Sequence, residues 1–180
     1  MLVPKSFKGN KDALHSKNLN SLMGILSSKL DVDNSARPFI AHYMTSFGEV
    51  PLWVLANDLT FGNMSHFFQL MKRGVQNSVC RYLFETTLRS VGSKKIAPHD
   101  VLRAYDVLTY FRNLCAHDER LYCARKGNDT YATMIDLMAV ALPVDTINGM
   151  KNNVADLLAK YEGSLKVITS REMGIRLGIC

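Results

Sequence analysis

Arg112, Asn113 and His117 fall within six positions of each other, inside the otherwise apolar stretch FRNLCAHDERLY from Phe111 to Tyr122. An imidazole gains and loses a proton near neutral pH, so it serves as a general acid or base. A guanidinium matches a phosphate with two parallel N–H bonds. A carboxamide can fix an imidazole or hold a ribose hydroxyl. Such a set needs no metal to cut RNA. A base takes the proton of a ribose 2′-hydroxyl, the freed oxygen attacks the adjacent phosphorus, and the guanidinium stabilises the charge that builds there.

Such groups act together only if one element presents them on one side. On a helix turning about 100° per residue, Asn113, Ala116, His117 and Arg120 share a face, and Arg112 reaches in from its flank. Phe111, Leu114 and Cys115 then fall to the core. A second reading fits the same spacing: Arg112 pairs with Asp118 or Glu119 at the surface, and His117 closes a helix end. Spacing leaves both open.

The rest of the chain reads as helices punctuated by glycine and proline. Residues 1–11 read as a loose tail, residues 12–163 as one helical domain, and residues 164–180 as a C-terminal tail with room for a short helix. The apolar pattern starts at Asp12 and breaks at DVDNSARP, where Pro38 disfavours helix in the residue before it. FIAHYMTSFG ends at Gly48, a C-terminal cap. Pro51 opens the next segment, TFGNMS breaks it, and Ser65 is positioned to cap a helix through Phe67, Phe68, Leu70 and Met71. Val79, Leu83, Phe84 and Leu88 mark the inward face of a helix that stops at Gly92. A further helix starts at His99 or Asp100, with Leu102, Tyr105, Leu108, Phe111, Leu114 and Cys115 as its stripe. YATMIDLMAVALPV runs to Pro143, and TINGMKNNVADLLAKYEG closes at Gly163. With no alternating strand pattern, the expectation is an all-α irregular bundle of about six or seven helices.

Net charge of +6 and a pI near 9.2 suit a polyanionic partner or a plainly solvated surface. Cys80, Cys115, Cys123 and Cys180 form no CxxC pair, which fits a reducing compartment rather than a disulfide framework. Cys115, His117 and Cys123 lack a fourth ligand at zinc spacing. No glycine-rich phosphate loop appears. No metal or cofactor is expected. No signal-like N-terminus and no run of about 18 apolar residues is present, so the expectation is a soluble cytoplasmic protein without a membrane partner.

Two blocks carry a resemblance. YFRNLCAHDERLY holds Arg-x4-His with Asn directly after the arginine, the signature of the HEPN superfamily. The whole string resembles the Abi-like (Abi_2, AbiD/AbiF-type) abortive-infection proteins, which carry RN-x-x-AH followed by an Arg-Leu pair. Upstream, EVPLWVLANDLTFGNMSHFF, residues 49–68, is similar to that family's P-x-WV-L…LTFG segment, and the two blocks stand in the family's order. The resemblance implies an all-α HEPN fold, a homodimer whose two motifs meet in one cleft, and an endoribonuclease in phage defence or a toxin–antitoxin pair. Arg112 and His117 are then catalytic and Asn113 supports them, while Arg120, Asp118 and His66 are weaker RNA-binding candidates. A cognate antitoxin, protein or RNA, is a further implied partner. The alternative is a catalytically silent module that binds RNA or an antitoxin. Trp53, Leu55, Leu59, Phe61, Phe67 and Phe68 are expected in the core rather than in a base-stacking platform.

Overall fold

The computed structural model describes residues 13–33, 36–87, 95–164 and 167–179, with side chains from Ser16 onward. The expected tail over residues 1–11, Leu88 and the stop at Gly92 lie outside them. The described residues form nine α-helices and no strand, an all-α fold as expected. They are α1 (Ala13–Lys29), α2 (Pro38–Phe47), α3 (Leu52–Ala56), α4 (Phe61–Leu70), α5 (Arg73–Thr86), α6 (Pro98–Ala116), α7 (Tyr131–Leu137), α8 (Val144–Lys160) and α9 (Ser170–Leu177). The count exceeds six or seven because the expected break after Pro51 leaves two separate helices, α3 and α4, and the C-terminal stretch does form the short helix it had room for, α9. Two compact units divide the chain, Met1–Gln76 and Asn77–Cys180.

In the first unit, Leu22 and Leu26 of α1, Ile40 of α2, Val54 and Leu55 of α3, and Phe67 and Leu70 of α4 form one apolar core. Gly48 ends α2 in the left-handed conformation, at φ 72°, and donates to the Met44 carbonyl. The expected cap at Ser65 moves five residues back. Thr60 caps α4, its hydroxyl accepting from the Asn63 N–H at 3.1 Å while the Asn63 carboxamide accepts from the Thr60 N–H. This reciprocal box satisfies two helix-end donors at once, and it draws Gly62 and Asn63 into the first turn. Gln76, 1% exposed, covers the other end of α4 by donating to the Phe68 and Gln69 carbonyls.

Asp58, whose side chain is 8% exposed, accepts from Lys29 at 2.9 Å and Arg37 at 3.1 Å, tying the ends of α1 and α3 to the start of α2. Burial alone pushes this carboxyl up, but bonds and charge from Lys29 and then Arg37 outweigh it and hold it below 3.8. A depressed carboxylate adds stability above its unfolded value, and that stability is lost as pH falls through the folded value. Asp58→Ala is therefore expected to cost about 1–3 kcal/mol at neutral pH. In chemical denaturation followed from pH 7 down, the gap from wild type should close below about pH 4.

In the second unit, Val107, Phe111 and Leu114 of α6 pack with Met134 and Ile135 of α7 and Ile147 of α8. The inward stripe of α6 is Val101, Ala104, Val107, Phe111 and Leu114, one position short of the expected Leu102, Tyr105 and Leu108, which are half-buried. Both stripes are apolar, and packing against α7 decides between them. α6 begins at Pro98, one residue ahead of expectation, where the Asp100 carboxylate accepts from the Ala97 N–H at 2.8 Å.

Gly178 ends α9 at φ 78°. A Cβ there would lie 2.5 Å from Thr130 Oγ1 and 3.1 Å from Thr130 Cβ, so α9 abuts the cap of α7. Gly178→Ala combines left-handed strain of about 1–2 kcal/mol with overpacking of about 1–3 kcal/mol. The expected result is a clear drop in the melting temperature of the second unit; an unchanged melting curve would show that α9 is not held at Thr130.

Candidate active site

α6 stops at Ala116. His117 is the cap, and its N–H still bonds back to the Asn113 and Leu114 carbonyls. Asp118 then takes φ 52°, the only non-glycine in the left-handed region among the described residues, and Glu119 N–H reaches the Leu114 carbonyl at 3.0 Å. This is a Schellman-type stop, usually made by glycine; a short polar side chain such as aspartate tolerates it. The helix-face expectation therefore needs correction at Arg120, which lies beyond the stop and not on the face of α6. The expectation that Cys115 belongs to the core fails too: it is exposed.

Arg112, Asn113, Ala116, His117 and Asp118 are all exposed at this helix end. Arg112 Nη1 donates to Asn113 Oδ1 at 3.0 Å. The guanidinium spends one of its five donors there, and the Asn113 NH₂ remains able to donate. Arg112 does not pair with Asp118 or Glu119. Among the described residues, the His117 ring has no hydrogen-bond or ion-pair partner, and Arg112, Arg120 and Arg125 have no acidic one.

The connector from Asp118 to Thr130 doubles back along α6. Lys126 pairs with Asp106, and Asp129 accepts from Arg103 at 2.8 Å. Between them Gly127, at φ 62°, makes the turn that brings Lys126 and Asp129 into mutual backbone bonds of 3.0 and 3.1 Å. Charges on that flank are neutralised in pairs, which leaves the unpaired arginines in the stretch from residue 112 to 125.

Tyr131 is a neighbour that sequence reading missed. Its ring meets Phe111 edge-on at 6.3 Å. Burial, and then charge at Cys115, raise its phenol above the ordinary value, so it stays a protonated donor through the neutral range. No local signal marks it, because the α6–α7 hairpin creates the contact. His66 is an exposed residue of α4 in the first unit, lining a small cleft of about 280 Å³ with Asn18, Ser21 and Thr60. Among the described residues no three His, Cys, Asp or Glu side chains are grouped to hold a metal ion.

Among the described residues the chain is all-α, and α6 ends in an exposed Arg-Asn-x3-His turn. A family model described as Abi-like protein matches residues 2–123, which include both sequence blocks and end just past this turn, and the chain belongs to that family. Membership supports a role in abortive infection. No curated protein and no solved structure gives a match. No helix among the described residues is long and apolar enough to cross a membrane.

Proposed function

We propose that this chain is a metal-independent endoribonuclease of the HEPN type, of the AbiD/AbiF kind, acting in the cytoplasm in phage defence or as a toxin held by an antitoxin. Two copies bring their Arg112–His117 turns together over one RNA strand. The observation that carries this reading is the joint exposure of Arg112, Asn113 and His117 at the end of α6, with Asn113 already bonded to Arg112.

A helix C-terminus carries partial negative charge and repels an anion. A phosphate at this end of α6 must therefore be held by side chains, and Arg112 is the group suited to it. His117 removes the proton of the 2′-hydroxyl, the oxygen bonds to phosphorus, and the bond from phosphorus to the 5′-oxygen breaks. The leaving oxygen takes up a proton. The products are a 2′,3′-cyclic phosphate and a 5′-hydroxyl end.

A second reading, an RNA- or antitoxin-binding module without catalysis, is favoured by one observation: within the described residues nothing fixes the tautomer of His117. A gel separates the two. Labelled single-stranded RNA incubated with the protein in EDTA should yield fragments ending in 2′,3′-cyclic phosphate. A shifted but intact RNA would support the module.

A further inference from the structure

Trp53 and Phe61, expected in the core, are 65% and 43% exposed. In their unit Lys29 and Arg37 are both bonded to Asp58. Free cations stand in the second unit, along one line. On α6, Asp106, Tyr110, Asn113 and His117 recur at i, i+4, i+7 and i+11, which puts them on one stripe of the helix. The stripe leads from the candidate site back toward the start of α6. At 1.5 Å per residue it is about 16 Å long. The connector rejoins it at Asp106, where Lys126 pairs with the carboxylate and donates to the Asp106 carbonyl at 2.9 Å. Arg125 immediately precedes Lys126. It is exposed, and among the described residues it has no acidic partner.

We propose that this stripe is the path of an RNA strand, with Arg125 holding a phosphate that flanks the one being cut. The proposal rests on the ribonuclease reading and adds a substrate-binding residue to that site.

Charge sets the direction of the strand. Past His117 stand the negative end of α6 and the carboxylates of Asp118 and Glu119, exposed and without a cation partner among the described residues. All of them repel a phosphate. Arg120 follows directly and offsets one of these two carboxylates. In the other direction the carboxylate on the stripe, Asp106, is already matched by Lys126. Tyr110 stands between, half-buried and uncharged, its ring edge-on to Phe111 at 5.3 Å. A polyanion seated at Arg112 therefore continues toward Arg125. The stripe ends at the Arg112–His117 turn, so its occupant must also present a phosphate there. An RNA strand does so, and an acidic polypeptide does not.

The salt dependence of binding tests this path. The full chain carrying His117→Ala, to prevent cutting, is titrated with labelled oligouridine at a series of salt concentrations. Adding Arg125→Ala should reduce the slope of log affinity against log salt by about 0.7, the loss of one phosphate contact on a single strand. Binding of oligoadenosine should weaken equally, because a phosphate contact reads no sequence. Arg125→Lys should keep the slope, since either cation neutralises a phosphate. Arg171→Ala, at an exposed arginine of α9 away from the stripe, should leave it unchanged. An unaltered slope with Arg125→Ala, or an equal loss with Arg171→Ala, overturns the path. So does retention of poly-glutamate with no binding of RNA, which would assign the stripe to an acidic polypeptide. Cleavage by wild type with an unaltered Arg125→Ala slope removes the path and leaves the ribonuclease standing. The expected slope change without any cleavage by wild type leaves RNA held along the stripe and removes the cutting.

Discussion

His117→Ala should lower the rate of RNA cleavage by about 10²–10⁴-fold, the usual contribution of a positioned acid or base, and leave the protein folded. Folding is spared for a local reason. The His117 side chain is exposed, and its role in ending α6 belongs to its backbone N–H, which bonds to the Asn113 and Leu114 carbonyls. Alanine keeps that N–H. Arg112→Lys is expected to lose about 10²–10³-fold, because lysine keeps the charge and loses the planar fork that grips two phosphate oxygens. It also loses the geometry of the bond to Asn113. Cleavage rates on one labelled RNA, with circular dichroism to verify the fold, check both. A His117→Ala protein as fast as wild type would remove the imidazole from the chemistry.

Phe111→Ala should destabilise the second unit by about 3–5 kcal/mol, a large share of the about 5–15 kcal/mol of an ordinary domain and enough to unfold one at the lower end of that range. Phe111 is 2% exposed. Its ring lies edge-on to Tyr110 at 5.3 Å and to Tyr131 at 6.3 Å. It sits in the core with Val107, Leu114, Met134, Ile135 and Ile147, and a cavity there loosens α6 against α7 one residue away from Arg112. Denaturant titration followed by far-ultraviolet circular dichroism measures the loss. Phe111→Leu, which refills most of the volume, should recover much of it. Phe111 and His117 are thus expected to fail differently: one loses stability and, through it, the site, the other only the chemistry.

The punctuation of this chain is legible because single residues dictate it. Gly48 needs its positive φ, Pro51, Pro98 and Pro143 stand just before or at helix starts, and the exposed side of the last turn of α6 follows from Phe111 and Leu114 going inward. The expectations that fail are decided by competition between neighbours. Nothing in the pattern says that Asp118 will adopt a left-handed turn, so periodicity alone extends the helix through Arg120. Cys115 has the size of a core residue, but Leu114 already fills the inward position beside it. α6 carries two apolar stripes, and its packing partners on α7 and α8 select the one through Val107. Trp53 has the type of a core residue; α3 is a five-residue helix that buries Val54 and Leu55 and has no room to bury their neighbour as well.

The most direct test of the proposed ribonuclease is one assay in EDTA, with wild type, His117→Ala and Arg112→Ala at equal concentration on a labelled single-stranded RNA. The prediction is fragments with 2′,3′-cyclic phosphate ends from wild type alone. Intact RNA in every lane, or equal cleavage by all three proteins, would contradict it.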